Sequence, residues 1–199
     1  YGGDAAGGVA AAWVFRRGRG GAGAGGRAAG GLGGRHGVRR DPERAAELWE
    51  IARVCERVPE HPAGSFHEAV QSVYFIHLIS QIESGGNSIS LGRIDQVLYP
   101  YYRADLEAGR ITPERARELL SLLFIKTNEI WNVLEEAFIP GGEGTEGKTT
   151  QNVTVGGMAP DGTDATNELS YIGLDAYADV RTVQPNFGVR LSKNSPADF

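Results

Sequence analysis

From Asp41 onward, apolar residues recur at helical spacing; before it they hardly recur at all. Asp41-Pro42-Glu43 reads as an N-cap followed by proline at the first helical position, and Ala45, Leu48, Ile51, Ala52 and Cys55 mark one face of the helix it opens. Pro59 and Pro62 end it. Ser65 is placed to cap a second helix, in which Phe66, Ala69, Val70, Val73, Ile76 and His77 recur through about Glu83. Gly85-Gly86-Asn87-Ser88 breaks the chain, a shorter helix is predicted over Asp95–Glu107 ending at Gly109, and Thr112-Pro113-Glu114 opens another. Leu119, Leu120, Leu122, Leu123, Phe124 and Ile125 make that fourth helix apolar nearly all round, which predicts burial on every side.

After Pro140 the period changes. Gln151 to Val155 is a β-branched run that reads as a strand, Pro160-Asp161-Gly162 as a turn, and Asp164 as the cap of a fifth helix with Leu169, Ile172, Ala176 and Val180 on one face. Phe187-Gly188-Val189-Arg190-Leu191 reads as a second strand. Strand, helix and strand in this order, with a helix of that length, suit a parallel crossover, so the class is α/β with helices in excess.

Composition divides the chain at Asp41. Residues 1–40 hold 15 of the 29 glycines and seven arginines against one acid, Asp4. So glycine-rich a stretch loses much backbone entropy on folding and has little side chain to bury, which predicts a low-complexity segment, disordered or poorly packed. The abruptness of the change also fits a frameshifted translation of GC-rich sequence. Residues 41–199 then carry the folded domain. The net charge of −5 gives no global field to attract a nucleic acid. No apolar run reaches the length of a membrane span, and a single cysteine, Cys55, excludes an internal disulfide framework; the expected address is the cytoplasm.

Two nucleotide-binding patterns occur in contexts that do not support them. Gly142 to Thr149 matches the phosphate-loop spacing, yet the residues after Lys148-Thr149 favour a strand where a helix is needed, and Glu143 and Glu146 would face the phosphates. Gly18-Arg19-Gly20-Gly21-Ala22-Gly23 fits the dinucleotide fingerprint, but the glycines that follow would break its helix. His67-Glu68 lacks a second histidine at zinc-protease spacing, and His77 reads as a hydrogen-bonded core residue. Cys55, near a helix end, reads as a small buried hydrophobe and not as an activated thiolate.

Several blocks nevertheless occur together in one order. Phe66-His67-Glu68-Ala69-Val70-Gln71 leads into Glu83-Ser84-Gly85-Gly86-Asn87-Ser88-Ile89-Ser90-Leu91-Gly92-Arg93-Ile94-Asp95-Gln96 and Leu98-Tyr99-Pro100-Tyr101-Tyr102. Asn152-Val153-Thr154-Val155-Gly156-Gly157, Asp164 to Ser170 and Gln184-Pro185-Asn186-Phe187-Gly188-Val189-Arg190-Leu191 follow. Residues 41–199 thereby resemble glycyl radical enzymes of the pyruvate formate-lyase type, nearest the branch of glycerol- and choline-cleaving lyases and dehydratases.

The resemblance implies a ten-stranded α/β barrel of two parallel halves wrapped by helices, of which this chain would be an incomplete, helix-rich part. It implies a lyase, a dehydratase or a formate acetyltransferase-like activity on a small polar substrate, in which a glycyl radical generates a cysteine thiyl radical that abstracts hydrogen. It further implies activation by a partner that uses S-adenosylmethionine and an iron–sulfur cluster, and a homodimer when complete. The Gly-Cys-[Val/Ile]-Glu block and the radical glycine loop of that family have no match here, so no catalytic residue is assigned, no cofactor is bound directly, and the chain alone is expected to be inactive. The alternative is a non-catalytic structural or interaction module. In diol-dehydrating members a His-Ser pair in this loop contacts substrate hydroxyls; its counterpart is Asn87-Ser88, where asparagine still hydrogen-bonds but cannot titrate near neutrality. The same pair could equally satisfy backbone groups in a turn. A partial barrel should leave strand edges and apolar helix faces uncovered, so the isolated chain is expected to aggregate.

Overall fold

A computed structural model of the chain describes residues 42–84, 89–130 and 151–199. The chain divides into two compact units, residues 1–76 and 77–199, with the boundary inside the second helix. The glycine-rich segment 1–40, the phosphate-loop pattern and the pair Asn87-Ser88 lie outside the described residues.

In the first unit, α1 spans Pro42–Arg57 and α2 begins at Phe66 and runs to Glu83. Ser65 caps α2 as its hydroxyl predicts, accepting from Glu68 N at 3.2 Å. The Glu68 carboxylate reaches back to Gly64 N at 2.7 Å and to Arg57 Nε at 3.0 Å, closing the loop between the helices. Leu48, Val54, Val58, Phe66, Ala69 and Val70 are buried, whereas Ile51 and Ile76, which the helical spacing places on the apolar faces, are exposed.

The second unit carries the sheet. Strand β1 is Gly92–Arg93, followed by α3 (Ile94–Glu107), α4 (Pro113–Asn128), β2 (Asn152–Gly156), α5 (Glu168–Val180) and β3 (Asn186–Arg190). The strands lie in the order β1-β2-β3 and both pairings are parallel. The two strands expected from β-branched content are thus neighbours in one sheet, each displaced by a single residue. Thr112 caps α4 by accepting from Arg115 N at 3.2 Å, with Pro113 in the first turn. Gly109, at φ +65°, ends the turn after α3 in the left-handed region that glycine enters without strain.

Helix α5 starts later than expected. Asp164 does not cap it; its carboxylate instead accepts from Thr166 N in the same loop and from Ser195 Oγ beyond β3. The N-cap is Asn167, whose N–H donates to Ser170 Oγ at 3.0 Å, so the serine three residues on fixes the start. Helix α4 is also not buried all round. Leu119, Leu120, Leu123 and Phe124 are buried, while Leu122 and Ile125 are exposed, because its described neighbours, α5 and β3, cover one side only. The core on that side is an aromatic trio: Phe187 of β3 stacks on Tyr177 at 4.8 Å, and Phe124 meets both edge-on at about 6 Å. No described helix is long and apolar enough to cross a membrane.

Candidate functional site

Side chains alternate across a strand, so each strand has a helix side and an opposite side. On β2, Val153 and Val155 are fully buried, and on β3 Phe187 packs against α4 and α5. The opposite face therefore holds Asn152 and Thr154 of β2 and Asn186, Gly188 and Arg190 of β3, with Arg93 of β1 in register with Thr154. Here the residues are half-buried or exposed and nearly all polar or glycine.

Two of these polar groups, with Ser90 just before β1, form a ladder. Asn186 Nδ2 donates to Asn152 Oδ1 at 3.3 Å, and Asn152 Nδ2 donates to Ser90 Oγ at 3.3 Å. In sequence, Ser90 follows the Asn87-Ser88 pair by two residues. The ladder's two remaining amide hydrogens, hydroxyl proton and carbonyl lone pairs suit a ligand with hydroxyl or carbonyl oxygens.

The Gly-Arg-Ile-Asp-Gln block that follows fastens this face to the helices. Asp95 is buried, and its Oδ2 accepts from Gly156 N at 2.7 Å and Ser170 Oγ at 2.6 Å. Its backbone carbonyl accepts from Asn167 Nδ2, and Gln96 Nε2 donates to the Ala165 carbonyl at 2.7 Å. One carboxylate thereby joins the end of β2 to the first turn of α5. Tyr102 of the aromatic run is buried; burial first, then the hydrogen bond and charge of Glu168, push its phenol well up and keep it neutral.

A second network holds the other end of β2. Gln151 Nε2 donates to the Thr127 carbonyl at 3.0 Å, which orients the amide so that its Oε1 faces His77 Nε2 at 2.5 Å. His77 must therefore carry its proton on Nε2 and donate it. Gln151 N donates to Gln184 Oε1, and its carbonyl accepts from Asn186 N at 2.7 Å, so both strands start from this residue. Burial lowers the His77 pKa, and the Gln151 bond opposes that in lesser part. An unfolded chain then takes up a proton on this histidine at a higher pH than the folded one. The contribution to stability is present above about pH 6.5 and declines as pH falls toward the depressed folded value. Urea midpoints are expected to drop on acidification over that window, and His77→Gln to flatten that part of the slope; an unchanged slope would count against the buried neutral histidine.

The remaining candidates stay apart from this face. Cys55 is half-buried on α1, and burial pushes its thiol up, the reverse of an activated thiolate. His67 Nδ1 lies 3.0 Å from Glu50 Oε1, and among the described residues no three metal-ligating side chains cluster. Sequence reasoning did not single out Ser90, Asn152 and Asn186 as site residues. The signal was present in the alternation Asn152-Val153-Thr154-Val155 and Asn186-Phe187-Gly188, whose polar members share one face once the strands pair in parallel.

A family model described as pyruvate formate lyase-like matches residues 36–199. Isethionate sulfite-lyase of Bilophila wadsworthia is 39% identical over 161 residues, covering 80% of this chain and 19% of that protein. Among solved structures, a glycyl radical enzyme from Archaeoglobus fulgidus superposes with a TM-score of 0.73 at 41% identity, over 81% of this chain and 21% of its own. The glycerol-bound B12-independent glycerol dehydratase from Clostridium butyricum gives 0.71 at 40% identity, over 81% and 20%. The chain thus spans about a fifth of the length of these relatives.

Proposed function

Because the chain belongs to the pyruvate formate lyase-like family of glycyl radical enzymes, we propose that residues 41–199 form part of the wall of a substrate chamber in a lyase or dehydratase of that kind. The observation that carries this is the polar face of the parallel sheet, set opposite a face sealed by α4 and α5. Asn87 and Ser88, together with Ser90 and Asn152, bind hydroxyl or carbonyl oxygens of a small polar substrate. The protein-derived radical supplies hydrogen abstraction through a cysteine thiyl, and these residues orient the substrate and exclude water from it. Residues 1–35 precede the stretch that the family model matches. A radical S-adenosylmethionine enzyme activates the complete, cytoplasmic, homodimeric protein.

Cys55 is the one cysteine in the chain, and its half-buried, upshifted thiol does not fit the thiyl role. The 199-residue chain by itself is therefore inactive. Incubated anaerobically with such an activating enzyme and a reductant, it is expected to give no glycyl radical doublet by electron paramagnetic resonance. A doublet arising from this chain would overturn that assignment. The gene decides the rest: a Gly-Cys-x-Glu block and a radical glycine loop in frame after Phe199 support the enzyme, and a stop codon there supports a non-catalytic module.

A further inference from the structure

Two arginines on the polar face converge at the carboxyl ends of the strands, where ligands of open parallel sheets gather. Arg93 closes β1, and its Nη1 donates to the Met158 carbonyl at 3.0 Å, so its side chain runs past the end of β2. Arg190 closes β3. Its Cβ, Cδ and Nε lie 3.1, 3.5 and 3.5 Å from the point a Cβ on Gly157 would occupy. The Arg93 guanidinium thus lies against Met158, and the Arg190 stem and Nε lie against Gly157, which at φ +92° leaves the space that the stem fills.

Neither cation has an acidic partner among the described residues. Arg93 Nε and Nη2 are buried and meet no acceptor, and a buried charged donor left unsatisfied is costly. The nearby carboxylates are engaged elsewhere: Asp95 Oδ2 by Gly156 N and Ser170 Oγ, Asp164 by Thr166 N and Ser195 Oγ, and Asp161 by Thr163. Asp95 Oδ1 is buried and also without a partner, yet it is not within ion-pair distance of Arg93. Two planar, permanently charged forks over a bare backbone suit a group with two or three equivalent oxygens.

We propose that Arg93 and Arg190 form a cradle over Gly157 for an oxyanion, a carboxylate or sulfonate group, borne either by a small molecule or by an acidic side chain from elsewhere in the polypeptide. The site does not depend on radical chemistry. Sodium methanesulfonate is the probe, titrated into the 199-residue chain against sodium chloride at equal ionic strength, with Arg93 Nε and Gly157 N followed by nitrogen-15 NMR. A saturable shift is expected with methanesulfonate alone. Arg190→Gln, at an exposed position, should weaken binding about tenfold, the scale of one charge-assisted contact, and Arg93→Gln should abolish it. Where the chain precipitates at NMR concentrations, hydrogen exchange of peptides covering residues 155–160 at micromolar concentration reads the same protection. Binding kept in the longest polypeptide the gene encodes assigns the site to a small molecule; binding lost there assigns it to a carboxylate of the protein. Equal responses to methanesulfonate and chloride, or unaltered binding in Arg190→Gln, overturn the cradle.

Discussion

Asp95→Ala is expected to destabilise the second unit by about 3–5 kcal/mol, since two hydrogen bonds to a charged acceptor are lost and both donors remain buried. The donors are Gly156 N and Ser170 Oγ, which hold the end of β2 and the start of α5. Asp95→Asn separates shape from charge. Its amide oxygen can take the Oδ2 position and still accept from both, while its NH2 group falls where Oδ1 already lacks a partner. It should lose roughly half as much, the charge-assisted excess alone. Pulse proteolysis in urea, which works at concentrations too low for association, measures both variants. Equal losses for Ala and Asn would show that the charge, and not the acceptor geometry, joins β2 to α5.

Phe124→Ala should cost roughly 3–5 kcal/mol, the range for emptying a large aromatic site in a packed core. Phe124 is fully buried, and both of its ring partners, Tyr177 and Phe187, lie edge-on to it. The cavity would open directly beneath β3, a strand whose own residues are otherwise exposed. Phe124→Leu keeps most of the volume and should lose about 1 kcal/mol or a little more. The same urea series reads the difference. Near-equal losses for Leu and Ala would mean that ring geometry, and not filled volume, holds the strand.

Helices were legible because their signals are local. Ser65, Thr112-Pro113 and Gly109 mark boundaries through hydrogen bonds or dihedral angles set within a few residues. Strand β1 was not legible: two residues, Gly92 and Arg93, carry no alternation, and only pairing with Val153 and Thr154 makes them a strand. The start of α5 was misread for a related reason. Asp164 and Asn167 are both good caps in isolation, and the choice falls to Asn167 because its side chain also donates to the Asp95 carbonyl from a distant segment. Burial of α4 could not follow from its composition, since six neighbouring apolar residues do not say which side a partner occupies. For the site, the family blocks point to the Asn87-Ser88 loop, but the polar row of Ser90, Asn152 and Asn186 exists only across strands that are far apart in sequence.

The strands stand side by side in the order in which they are translated. During synthesis, β2 therefore leaves the ribosome with its template already made, and β3 follows with the same advantage. No strand among the three must wait for a later one to be inserted between it and its neighbour. The sheet lengthens in one direction only, like a row of planks laid from one end, and the leading plank at every stage is the newest.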